Sequence, residues 1–212
     1  MNQEDQNTTK LQILNVARGL FAKSGYDAVS IRDIGHVVGI RESSIYYHFK
    51  NKQEIFDRII DQMNLVMDGV KYTFMEQLSS VQKVRKDEFI LTGWMYLEMF
   101  LLNNEIYETI SMLQIEKQRN QKALSCYQKV MFEMPIEHQS NVFQVMKEKG
   151  LLRKEEKEKE LAMEYQSMIL MVFQRYFPCL SLKEENLKIA RHTLEQLLGR
   201  FYDQYLTLEG NE

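Results

Sequence analysis

Apolar residues return every three or four positions along most of this chain and seldom in simple alternation, a pattern that predicts helices. The first apolar face is Ile13, Leu14, Ala17, Leu20 and Phe21. Thr9 with Gln12 three residues on reads as a capping box, which puts the helix start at Thr8 or Thr9, and Gly25 supplies a left-handed stop. Ile31, Ile34, Val37 and Val38 make the buried side of a short second helix, capped by Ser30 with Asp33 completing the box. A third helix is expected from Arg41 to Phe49, where Ile45 and Phe49 share a face. Asn51 with Glu54 then opens a long fourth helix, with Ile55, Ile59, Met63, Val66 and Val70 on one side. Further helices are expected over 89–102, 106–134, 136–149, 161–177 and 182–206, with Pro135 and Pro178 as breaks. The charged run 153–160 reads as a solvated helix start.

Composition narrows the class. With 212 residues, 44% of them hydrophobic, the chain can bury a core sized for one large domain or two small ones. Cys126 and Cys179 are too few for a disulfide framework or a zinc site, and both are expected as apolar fillers. There is no basic-then-apolar leader pattern and no apolar run near the ~18–20 residues that cross a bilayer, so the expectation is a cytoplasmic protein with no membrane partner. His36, His48, His138 and His192 are scattered, and carboxylates sit in charged runs, so no catalytic residue, metal site or cofactor is expected. Net charge is −3, but from Lys10 to Arg58 eight bases outnumber five acids, leaving that segment at +3 and the rest at −6. A basic head on an acidic body suits a nucleic-acid reader with a separate regulatory part.

The second and third helices carry the main signal. Two helices crossing steeply over a short turn need a small residue at the crossing and a residue tolerant of positive φ in the turn. Gly35 and Gly39 meet those needs, flanked by Ile34, Val38, Ile40 and Ile45 as apolar glue. The other side of the third helix is polar and aromatic: Glu42, Ser43, Ser44, Tyr46, Tyr47 and His48. Short hydroxyls near the start of such a helix can reach base edges, while tyrosines, a histidine and Lys52 can hold flanking phosphates of double-stranded DNA. A helix-turn-helix is expected over 31–50, with a DNA-binding domain over 1–52 and a separate regulatory domain over 53–212.

These residues resemble the N-terminal signature of TetR/AcrR-type bacterial transcriptional regulators. The resemblance rests on Leu20-Phe21, Gly25-Tyr26, Val29 to Ile34, Val38-Gly39-Ile40, Ile45 to Phe49 and Asn51-Lys52. It implies an all-α fold with a three-helix N-terminal head and a C-terminal helical bundle. It also implies a repressor that binds a palindromic operator as a homodimer and is released by a small molecule. By position it assigns DNA contacts to Ser44, Tyr46, Tyr47, His48 and Lys52, with Ser30 and Arg32 near the backbone. The sequence departs from the family at Arg41, where a serine or threonine cap is usual, and at Gly35, where alanine is commoner. Losing a cap costs about 1 kcal/mol, which Arg41 recovers if it binds a phosphate or a guanine edge.

A dimer needs a seam, and Leu187, Ala190, Leu194, Leu197 and Phe201 step along the last helix by three and four, with Met168 and Val172 on the helix before. The body is rich in methionine and aromatic residues, and Trp94, Met95, Glu98, Met99, Tyr107, Met112, Tyr127 and Met131 are candidates for an adaptable pocket. Such a pocket suits an apolar or amphipathic effector, with Glu98, Glu108 or Glu116 as counter-charge for a cationic one. The alternative is a helical ligand-binding or adaptor protein without sequence-specific DNA binding.

Overall fold

The computed structural model describes residues 3–80, 83–153, 155–178 and 182–206. All its regular elements there are helical: α1 (Gln3–Ser24), α2 (Ile31–Val38), α3 (Glu42–His48), α4 (Lys52–Ser80), α5 (Lys86–Tyr96), α6 (Asn104–Glu116), α7 (Gln121–Gln128), α8 (Met134–Glu148), α9 (Glu158–Tyr176) and α10 (Glu184–Tyr205). The only strand-like pairing among described residues is an isolated bridge between Leu152 and Leu206.

Several boundaries differ from the sequence reading, each for a local reason. Helix α1 starts at Gln3, so Thr8 and Thr9 lie inside it and not at its cap. The expected helix over 106–134 is interrupted after Glu116 and restarts at Gln121, with Asn120 Oδ1 accepting the Ala123 N–H at 3.1 Å. Pro135 breaks nothing. A wide π turn, Lys129–Glu133, joins α7 to α8, so the proline falls in the first turn of α8, where its missing N–H costs little. A second π turn, Leu97–Leu101, extends α5. In the charged run, residues 155–157 are non-helical and Lys157 is the N-cap of α9.

Compactness divides the chain into one unit of residues 1–68 with 104–127 and another of 69–103 with 128–212, so α6 and most of α7 group with the N-terminal helices. In the first unit α1 packs on α2 and α6. Ile13, Ala17, Phe21, Ile34, Ile45 and Phe56 are fully or almost fully buried there. Arg18, only 6% exposed, is held by Glu108 at 3.0 Å and Glu105 at 3.5 Å, so α1 and α6 share a partly buried ion pair. Cys126 is buried in this unit, and Cys179 lies outside the described residues.

In the second unit α10 packs on α5 and α9, and α8 on α9. Phe201 is its hub, stacked on Phe89 at 5.9 Å and Phe143 at 5.7 Å with Tyr165 edge-on at 5.8 Å. Burial pushes the Tyr165 hydroxyl pKa up. This arrangement corrects the expected intersubunit seam. Val172, Ala190, Leu194 and Phe201 are spent in the unit's own core, because a three-four repeat marks an apolar face without naming what covers it. Met168, Leu187 and Leu197 are half-buried, and the exposed apolar residues of the two helices are Met163, Met171 and Ile189.

Candidate nucleic-acid interface

The head is assembled by short-range chemistry. Ser30 accepts the Asp33 N–H at 3.1 Å, and Asp33 Oδ2 accepts the Ser30 N–H at 2.8 Å and its hydroxyl at 2.6 Å. These bonds hold the Asp33 carboxyl below its usual range. At the far end, Gly39 adopts φ +81°, and the Gly35 carbonyl accepts the N–H groups of both Gly39 and Ile40 at 2.9 Å. A Cβ on Gly35 would stand 2.9 Å from the Ile40 carbonyl oxygen, closer than Cβ contacts occur, which explains glycine at the crossing. Asn51 Oδ1 accepts the Glu54 N–H at 2.9 Å and starts α4, while Glu54 reaches back to the Lys50 N–H at 2.7 Å.

With Ile45 fully buried beneath it, α3 turns its other side outward. Glu42, Ser43 and Ser44 are exposed, and Tyr46 and Tyr47 are 53% and 67% exposed. Ser30, Arg32 and Arg41 are exposed alongside. Neither tyrosine belongs to the core. His48 is half-buried, edge-on to Tyr47 at 5.1 Å, and burial with the Lys10 charge lowers its pKa. It is therefore neutral at pH 7, a hydrogen-bonding group and not a cation.

Lys52 departs from expectation. Its Nζ donates to the Tyr26 carbonyl at 2.7 Å and the Val29 carbonyl at 2.8 Å and lies 4.1 Å from the Tyr26 ring centroid. The ammonium is thus committed to the α1–α2 turn. The same turn is gripped from α6: Glu116, 2% exposed, accepts the Tyr26 N–H at 2.9 Å, and Arg119 pairs with both Glu116 and Asp27 at 3.2 Å. Asp57 of α4 pairs with Lys122 of α7. These long-range bonds escaped the sequence reading, which carried no signal for partners 26 or 90 residues apart.

The expected pocket residues are divided between the two units. Tyr107, Met112 and Tyr127 are buried in the first unit; Trp94 and Met131 are buried in the second, and Met95, Glu98 and Met99 are exposed. Glu108 and Glu116 are occupied by Arg18 and Arg119, which removes two of the three candidate counter-charges. The second unit has an open groove of about 510 Å³ between the α7–α8 π turn, α8 and α9, lined by Phe132, Ile136 and Met163 with Glu133, Glu137 and Lys159. Among the described residues no helix is long and apolar enough to cross a membrane, and no three His, Cys, Asp or Glu side chains cluster for a metal.

Residues 13–59 match the family described as bacterial regulatory proteins, tetR family. The probable HTH-type transcriptional regulator ArpR of Pseudomonas putida is 25% identical over 132 residues, covering 58% of this chain and 63% of that protein. The chain thus spans under two thirds of the length of the curated relatives it matches there. A putative TetR-family regulator from Mesorhizobium loti superposes with a TM-score of 0.67 at 14% identity, over 98% of this chain and all of the other. SmeT, described as the repressor of a Stenotrophomonas maltophilia multidrug efflux pump, superposes in its triclosan complex with a TM-score of 0.67 at 18% identity, over 95% of this chain and 93% of that one. Residues 13–59 thus carry the DNA-binding segment that describes the tetR family of bacterial regulatory proteins, and the all-α fold of the chain is the one those structures share.

Proposed function

We propose that this chain is a transcriptional repressor that binds a palindromic operator as a homodimer and leaves it on binding a small apolar or amphipathic molecule. The observation that carries the reading is the outward face of α3, where Ser43, Ser44, Tyr46 and Tyr47 stand exposed on a helix anchored by buried Ile45. Two adjacent exposed tyrosines offer apolar area and hydroxyls to a partner, and hydroxyls with a neutral histidine suit bases and phosphates. Two heads are needed to span successive major grooves, so the exposed Met163, Met171 and Ile189 of α9 and α10 are assigned to the twofold contact. The methionine and aromatic interior of the second unit suits an apolar effector, as does the likeness to SmeT, which was solved with triclosan. Release is a population shift: the effector favours a body conformation in which the two heads no longer match the groove spacing.

The test is fluorescence anisotropy with duplex DNA from upstream of the chain's own reading frame, alongside light scattering for mass. Sequence-specific binding by a dimer, weakened by the Ser44→Ala and Tyr47→Ala substitutions, is expected. A folded protein that binds all duplexes equally, or none, refutes it.

A further inference from the structure

We propose that Arg41 reads a guanine in each half-site and so sets the operator sequence; this rests on the DNA-binding reading above. Arg41 is the N-cap residue of α3 by its backbone, with φ −73° and ψ 152° and its carbonyl accepting the Ser44 N–H at 2.9 Å, yet its side chain makes no capping bond. Serine or threonine there would close the helix end, so arginine forfeits local stability. Nothing in the fold recovers it. Arg18 and Arg119 are spent on Glu105, Glu108, Glu116 and Asp27, and Lys52 on two carbonyls, whereas the exposed Arg41 guanidinium has no ion pair among the described residues.

Its mounting is rigid. Ile40, the residue before it, donates its N–H to the Gly35 carbonyl at 2.9 Å, and the Ile40 carbonyl lies so close to Gly35 that no Cβ fits between them. The Arg41 backbone is thereby fixed to α2, and the side chain leaves from the end of the helix that enters a major groove first. A planar fork at that place matches the O6 and N7 acceptors of guanine in two parallel bonds, a fit that a point charge lacks. Phosphates are left to groups at the flanks, Arg32 on α2 and Lys50 after α3, both exposed.

The experiment is selection of bound sequences from random duplex DNA by the full chain and by its Arg41→Ala and Arg41→Ser variants. The wild type is expected to require a guanine at one position of each half-site, and both variants to lose that requirement while keeping the rest of the consensus. Replacing that G·C pair with A·T weakens the wild type by about 5- to 160-fold per half-site and the variants by less than about 2-fold. Arg41→Ser should also melt higher than the wild type, because it restores the cap. The proposal is overturned if the variants keep the guanine and bind every sequence evenly more weakly, the mark of a phosphate contact. It also falls if the wild type selects no sequence at all, in which case the DNA-binding reading falls with it.

Discussion

Replacing Lys52 with alanine separates two roles that charge alone confuses. The ammonium donates two short bonds to the Tyr26 and Val29 carbonyls and sits over the Tyr26 ring. Hydrogen bonds to a charged group contribute about 1.5–3 kcal/mol each and an exposed cation–π contact about 0.5–1 kcal/mol. Because Lys52 is half-buried, water reclaims part of this when it is removed, so a loss of about 2–3 kcal/mol is expected. For a chain of this length that lowers Tm by roughly 4–12 °C in a calorimetric scan. Operator affinity should fall as the α1–α2 turn loosens, but the slope of log affinity against log salt should not change. Each phosphate contact contributes about 0.9 to that slope, so a dimer losing two would flatten it by about 1.8. An unaltered Tm with a flattened slope would show that Lys52 holds DNA and not the turn.

Gly35→Ala should destabilise the chain by about 1–3 kcal/mol in denaturant unfolding, because its Cβ meets a carbonyl that cannot swing away; a neutral result would mean the α2–α3 crossing relaxes freely. Arg18→Ala leaves Glu108 facing an emptied, partly buried site and should cost about 2–3 kcal/mol, less than the ~3–5 kcal/mol of a fully buried pair since Glu105 is 56% exposed, and a loss below about 0.5 kcal/mol would remove the pair from any structural role. His48 has a folded pKa below its unfolded 6.5, so its contribution to stability is complete above pH 6.5 and is lost as pH falls through the folded value. Lys10→Ala should raise the His48 pKa in an NMR titration, and a pKa that stays put or falls would deny the Lys10 influence.

What the sequence disclosed was what lies within a few residues. The Ser30–Asp33 box, the left-handed Gly39 and the outward face of α3 all follow from spacings of three or four, and each stands in the fold. The failures have a common cause in distance along the chain. Lys52 was read as a phosphate ligand because its charge and position were visible and the carbonyls that hold it were not. Glu108 and Glu116 looked like spare acids until α6 lay against α1. On α10 the period was right, but an apolar stripe looks the same whether a neighbouring helix of the same chain or a second copy covers it, and Phe201 proved to be a core hub.

The grip of α6 on α1 bears on how this head can be transplanted. A peptide ending at residue 68 would keep the recognition helix but strip Arg18 of both its acids and Tyr26 of the acceptor for its N–H. Chimaeras that graft this head onto a foreign body should therefore carry residues 104–127 with it, since the compact unit that holds the head is discontinuous.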